Sequence, residues 1–200
     1  PDFTTPNEPY WIFIDSLISE AEANNMLVLF FPAYVGYQGS GLMGEMVANG
    51  PAKMQSYGTW LANRYKNYGN IVWMMGGDDG VFTPAENISE YSLITGLKSV
   101  PGQKSTHFSA EWDSGQIATD QGTFGSQMTL NGVYSWQGDV NYHGRRAYSY
   151  NPIMPAYLLE EPYDEEGPDG NSVNPSAIQP VRRFQWWGFL STIGGYMSGN

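Results

Sequence analysis

Two unbroken apolar runs set the first constraint on this chain. "MLVLFF" fills 26–31, and "NIVWMM" at 70–75 carries a second run from Ile71 to Met75. Each is far shorter than the roughly 18 apolar residues that a membrane-spanning helix needs. Each has the length of a strand and no polar alternation, which suits a strand buried on both faces of a parallel sheet. Parallel neighbours need a crossover, usually a helix, so helical patterns should lie around and between these runs.

They do. Thr5-Pro6-Asn7-Glu8 reads as a helix start, with Thr5 as N-cap, Pro6 at the first helical position and Glu8 three after the cap. Trp11, Ile14, Leu17, Ile18 and Ala21 follow at helical spacing until Asn24-Asn25. A glycine-rich loop is expected over 36–50, then a helix from about Pro51 to Asn67 with Met54, Tyr57, Leu61 and Tyr65 on one face. Thr83-Pro84-Ala85-Glu86 is a second capping box, opening a helix to about Ser99. Further strands are expected at 104–109, 132–136, 152–161 and 192–197, with helical or irregular segments at 141–150 and from Asn174-Pro175 to Phe189. An acidic loop, 162–173, separates the expected strand 152–161 from the helix that starts at Asn174-Pro175. Repeating β/α order implies a parallel sheet with right-handed crossovers, either an open doubly wound sheet or a (β/α)8 TIM barrel. No GxGxxG or GxxxxGK loop follows a strand, which weighs against a nucleotide site.

Charge and composition narrow the partners. Nine Lys and Arg against 20 Asp and Glu give a net charge of -11. That argues against nucleic acid and against an anionic membrane surface. There are no cysteines, hence no disulfide framework and no thiolate metal site. With only His107 and His143, no metal cluster and no cofactor are expected. Seven Trp and 14 Tyr suit sugar binding, where ring faces pack against C–H faces and polar rims bond hydroxyls. The chain opens "PDFTTPNEPYW", without Met, and ends "GGYMSGN" just after an apolar segment, so both ends are expected to be cuts in a longer chain.

In a β/α barrel the chemistry sits on loops at the C-terminal strand ends. Two expected strands end in acids: 70–75 in Gly76-Gly77-Asp78-Asp79, and 152–159 in Glu160-Glu161-Pro162-Tyr163. Two carboxylates facing one cleft can cleave a glycosidic bond, one as proton donor and the other as nucleophile or base. Acids at strand-to-helix turns are also common as helix caps, so either site alone has an ordinary structural explanation.

"YKNYGNIVWMMGGDDG", "YLLEEPYDEEG" and "VRRFQWWGFLSTIGGYMSGN", in that order, resemble the apiosidase-like glycoside hydrolases of family 140 over nearly the whole chain. The resemblance implies a (β/α)8 barrel of the retaining type, with the acid/base on strand four and the nucleophile on strand seven. The run 70–75 then takes the place of strand four, and the chain covers about strands three to eight as a partial catalytic domain, 1–200. Asp78 takes the acid/base place. Glu161 takes the nucleophile place because it directly precedes the proline, with Glu160 as the alternative register; Asp79 is the lesser candidate at the first site. His107, read as ending the strand 104–109, resembles a family histidine at that strand end, where it would bond substrate or hold a catalytic carboxylate. Trp112, Trp136, Tyr134, Tyr34 and Tyr163 are candidate sugar platforms. Arg183 and Trp187, an i, i+4 pair on one helix with Arg182 and Trp186, fit packing on the outside of a barrel. His143-Gly144 is a weak signal. The substrate class implied is plant cell-wall polysaccharide of the pectin type, with apiose as the sugar, and the protein is expected to be exported to the bacterial periplasm, the cell surface or the medium. The carboxyls of Asp78 and Glu161 should lie ~5–5.5 Å apart for retention or ~6.5–9.5 Å apart for inversion. Two other readings compete: a carbohydrate-binding barrel without chemistry, and an open-sheet esterase, against which the absence of a G-x-S-x-G elbow counts.

Overall fold

A computed structural model describes residues 1–37, 40–135, 139–160, 180–191 and 194–196. The chain divides into two compact units, Pro1–Phe108 and Ser109–Asn200.

The first unit alternates helix and strand. Helix α1 spans Glu8–Ala23, strand β1 Val28–Phe30, α2 Met43–Asn49, α3 Pro51–Tyr65, β2 Ile71–Gly76 and α4 Pro84–Lys98. Strand β3, His107–Glu111, carries the chain into the second unit. β1 and β2 run parallel, with Val28 opposite Ile71, Leu29 opposite Val72 and Phe30 opposite Trp73. Every residue of β2 is buried, as its unbroken apolar run requires. β1 differs: Val28, Leu29 and Phe30 are only partly buried, and Met26 and Leu27 are exposed. It is an edge strand of the sheet β1-β2-β3 among the described residues, so one flank lacks a paired neighbour.

Two local expectations are corrected here. The cap of α1 is Asn7, not Thr5. The Thr5 hydroxyl instead donates to Asp2, which also binds the Thr4 hydroxyl, so an exposed Asx-type turn takes the capping side chain. The expected loop 36–50 contains α2, a short helix whose Met43 and Met46 are buried. The second capping box forms as read: Thr83 Oγ1 accepts from the Glu86 N–H, and the Thr83 N–H donates to Glu86. The helix it starts lies hard against α3. A Cβ on Gly96 would come within 2.1 Å of Gln55 O, and one on Gly58 within 2.4 Å of Leu93 O. The two helices therefore touch backbone to backbone, and glycine is the residue that permits it.

The second unit holds the remainder of β3, a 3₁₀ turn at Gly125–Gln127, β4 (Asn131–Tyr134), α5 (Val140–Tyr148), β5 (Ala156–Glu160) and α6 (Pro180–Leu190). β4 and β5 are parallel, and a further parallel bridge joins Leu158 to Tyr196. Ile117, Val133, Val140, Ala147, Ala156, Leu158 and Phe184 form the core, with Tyr157 and Trp187 packed against it. Arg183 lies over the Trp187 ring at 4.9 Å. The first turn of the expected helix from Asn174 lies outside the described residues. Among the described residues no helix is long and apolar enough to cross a membrane.

Candidate functional site

The end of β2 is built from backbone. Three successive residues there have positive φ: Gly76 at 77°, Gly77 at 122° and Asp78 at 61°. Aspartate tolerates this region better than most residues, but a non-glycine residue held there is uncommon and costs energy. Main-chain donors from the segment after β1 fasten the turn. Val35 N–H donates to Gly76 O at 3.1 Å, and Gly36 N–H to Gly77 O at 2.9 Å. Tyr34 lies against the same turn. A Cβ on Gly77 would sit 2.3 Å from Cδ2 of the Tyr34 ring. Tyr34 is 44% exposed and meets Phe31 edge-on, so part of its ring stays open beside the turn that carries Asp78. Asp78 and Asp79 are both half-buried. Asp79 Oδ1 accepts from Val81 N–H at 3.1 Å, which closes an Asx turn and engages that carboxylate in shaping the loop.

Behind the turn lies a residue the sequence reading missed. Glu90, in the middle of α4, has 0% exposure, and its Oε1 accepts from Gly76 N–H at 2.9 Å. Burial pushes this carboxyl up to about 7, against the opposing pull of the Gly76 N–H. A signal existed: Glu90 falls on the stripe of Leu93, Ile94 and Leu97, where an acid breaks the apolar pattern.

The end of β5 is built from a register slip and side chains. Val133 pairs with Leu158, but Tyr134 pairs with Glu160, so Leu159 is the extra residue of a bulge. Val133 and Leu158 share the face that meets Phe184. Gly132 and Tyr157 share the other face, where Ser109 bonds the Gly132 N–H and the Tyr157 hydroxyl. Without the slip, Glu160 would follow Leu158 to the Phe184 face. The bulge registers it with Tyr134 on the Tyr157 face, which is the kind of re-aiming bulges perform. Glu161 lies outside the described residues, as do Trp136 and Tyr163.

A polar chain stands beside this end. Ser135 N–H donates to Glu160 O at 3.1 Å, and Ser135 Oγ donates to Asp139 Oδ1 at 2.6 Å. Asp139 Oδ2 lies 3.1 Å from His143 Nε2, and His143 Nδ1 lies 3.1 Å from Arg146 Nη1. Arginine can only donate, so Nδ1 accepts and Nε2–H donates to Asp139. Arg146 is also paired with Asp120. Burial works to raise the Asp139 carboxyl, but the Ser135 and His143 interactions hold it below its ordinary range. His143, a weak signal in the sequence, is thus the buried centre of this chain.

Three expectations are corrected. His107 opens β3 rather than ending it, so it lies at the N-terminal end of that strand, and Glu111 occupies the C-terminal end. The chain from 104 to 106 is held outside the strand because Ser105 Oγ donates to Tyr68 O and accepts from Ile71 N–H. Trp112 is 1% exposed; its indole N–H donates to Ala118 O, and its ring stacks on Phe124. Tyr134 is 4% exposed. Neither ring offers an open face to a sugar. Among the described residues no group of three or more His, Asp and Glu is gathered to hold a metal ion.

Comparisons place this architecture. A glycoside hydrolase family 5 protein from Bacteroides vulgatus superposes with a TM-score of 0.78 at 17% identity, over 96% of this chain and 43% of that one. A second structure, titled a glycoside hydrolase, gives 0.77 at 18% identity, over 96% of this chain and 45% of that one. PbGH5A, a family 5 enzyme from Prevotella bryantii, gives 0.57 at 9% identity, over 97% and 70%. At these identities the likeness concerns the fold: an α/β arrangement of parallel strands shared with glycoside hydrolases. The chain spans less than half the length of the first two. Residues 1–200 match the family "Apiosidase-like, catalytic domain", and the chain belongs to that family of glycosidase domains. No curated protein matches the sequence.

Proposed function

We propose that this chain forms the later part of a (β/α)8 barrel whose parent hydrolyses glycosidic bonds in plant cell-wall polysaccharide of the pectin type. The mechanism is retaining, with Asp78 as acid/base and Glu161 as nucleophile. The observation that carries the reading is the turn at 76–78. A fully buried parallel strand ends in three residues of positive φ, and the third is a half-buried acid beside an open aromatic ring. A non-glycine residue held in that conformation costs energy, which the fastened turn around Asp78 offsets. Family membership supplies the substrate class, a glycan, and supports apiose as the sugar released. A polymer of that kind is met outside the cell, so the parent is exported; fractionation that leaves it wholly in the cytoplasm would contradict this.

In the retaining sequence one carboxylate attacks the anomeric carbon while the other protonates the leaving oxygen; water then hydrolyses the glycosyl-enzyme with the second acid now acting as base. The bulge that registers Glu160 with Tyr134 makes Glu160 the rival nucleophile, and the variants must separate the two. The test is hydrolysis of a panel of pectic oligosaccharides by the full-length parent, with Asp78→Asn, Glu160→Gln and Glu161→Gln. Release of one sugar by wild type, with roughly 10²–10⁴-fold loss in Asp78→Asn and a comparable loss in Glu161→Gln, supports the assignment. If Glu160→Gln is the dead variant, the nucleophile moves one residue. If oligosaccharides bind but none is cut, the domain is a binding module and the reading falls.

A further inference from the structure

Glu90 has no part in the chemistry just proposed, yet the fold accommodates it at a cost. An acid in the apolar stripe of α4 costs burial energy that leucine would avoid. One of its oxygens, Oε1, accepts from Gly76 N–H at 2.9 Å. The other, Oε2, is buried with no hydrogen-bond partner. So the side chain is not retained for a fully satisfied polar network. What it does engage is a single N–H, and that N–H belongs to the first of the three residues of positive φ.

The other fastenings of the turn act on carbonyls. Val35 and Gly36 hold Gly76 O and Gly77 O from the segment after β1. Glu90 holds the opposite side of the Gly76 residue, from α4. Between them the last residue of β2 is gripped at both its N–H and its C=O before the chain turns to Asp78. We propose that Glu90 is a positioning residue: its carboxyl fixes Gly76 and thereby sets the direction in which Asp78 is presented. This rests on the reading of Asp78 as the acid/base.

The role makes a prediction that simple structural support does not. If Glu90 acts through Asp78, its loss weakens proton donation, and the defect depends on how much protonation the leaving group needs. The experiment uses the full-length parent with Glu90→Met, which fills similar space without an oxygen acceptor, and Glu90→Gln, which keeps one. Substrates are the methyl and the 4-nitrophenyl glycosides of the sugar the parent releases. A nitrophenolate departs with little help from an acid; a methoxide does not. Glu90→Met should lose at least tenfold in kcat/KM, which reports the step in which the leaving group departs, on the methyl glycoside and less than threefold on the nitrophenyl glycoside. Glu90→Gln should recover both rates to within about threefold of wild type. Should Glu90→Met fail to fold, Glu90→Ala carries the same comparison. Equal losses on the two substrates, full activity in a folded Glu90→Met, or a leaving-group-dependent loss in Glu90→Gln would each overturn the proposal. Asp78→Asn on the same pair separates the two ideas. If it is inactive on the methyl glycoside while Glu90→Met behaves as wild type, only the role of Glu90 falls. If Asp78→Asn is fully active, the acid/base reading falls and takes the Glu90 role with it.

Discussion

The ends of β2 and β5 each carry an acid, and they are held in opposite ways. At β2 the turn is fixed mainly by backbone: positive φ at 76–78, main-chain donors from 35 and 36, and a glycine pressed against a ring, with the Glu90 carboxyl behind it. At β5 it is fixed by side chains: a one-residue slip of register, then Ser135, Asp139, His143, Arg146 and Asp120 in sequence. The first kind of site is most sensitive to an added atom. The second fails when a partner is taken away.

That contrast can be broken most severely at Gly77. Gly77→Ala must place a methyl where Tyr34 already stands, on a residue whose φ of 122° disfavours any side chain. It should cost roughly 3 kcal/mol or more in stability. Displacing Asp78 by an ångström should also cost about 100-fold in kcat. Chemical denaturation and steady-state kinetics check it, and near-normal values in both would sink the backbone account.

Glu90 sharpens the same side through pH. Its carboxyl rises from 4.5 to about 7 on folding, so the folded state holds a proton that the unfolded chain releases. Stability from this group is full below about pH 4.5, falls as pH rises toward 7, and is flat above that. The loss amounts to about 3 kcal/mol at most. Glu90→Gln should remove that slope, measured as the difference in unfolding free energy between the two proteins from pH 4.5 to 8. Parallel curves would contradict the burial argument.

On the β5 side, His143→Ala should destabilise by about 2 kcal/mol, because it strands the Asp139 carboxylate and an Arg146 donor together. His143→Gln, with one donor and one acceptor, should recover part of that loss; equal losses in both would show that packing, not the polar chain, matters. The smallest effect is expected at Tyr34. Tyr34→Ala should raise KM by about fivefold, near 1 kcal/mol of ring contact, with kcat little changed. A change in kcat alone would assign the ring to the turn and not to the sugar.

Much of the β2 side could be read from sequence because its determinants are local. The run Ile71–Met75 marks a strand buried on both faces, the Thr83 box starts a helix, and Gly76-Gly77 before an acid marks a special turn. What sequence did not show depends on tertiary contact. Ser105 is bonded by Tyr68 and Ile71, which delays β3 until His107 and reverses the place of that histidine in its strand. Trp112 and Tyr134 have the side chains of sugar platforms, but residue type does not say whether a ring is covered. The bulge at Val133/Tyr134 has no signal in either strand's composition. Glu90 does have one, an acid on the apolar stripe of Leu93, Ile94 and Leu97.

The central claim is that the acids at these two strand ends work on one bond. The most direct test is a crystal structure of the full-length parent with the released sugar bound, measuring from the Asp78 carboxyl to that of Glu161, with Glu160 as the rival. The account predicts ~5–5.5 Å, with the anomeric carbon between them. A separation far beyond ~9.5 Å for both glutamates would contradict it.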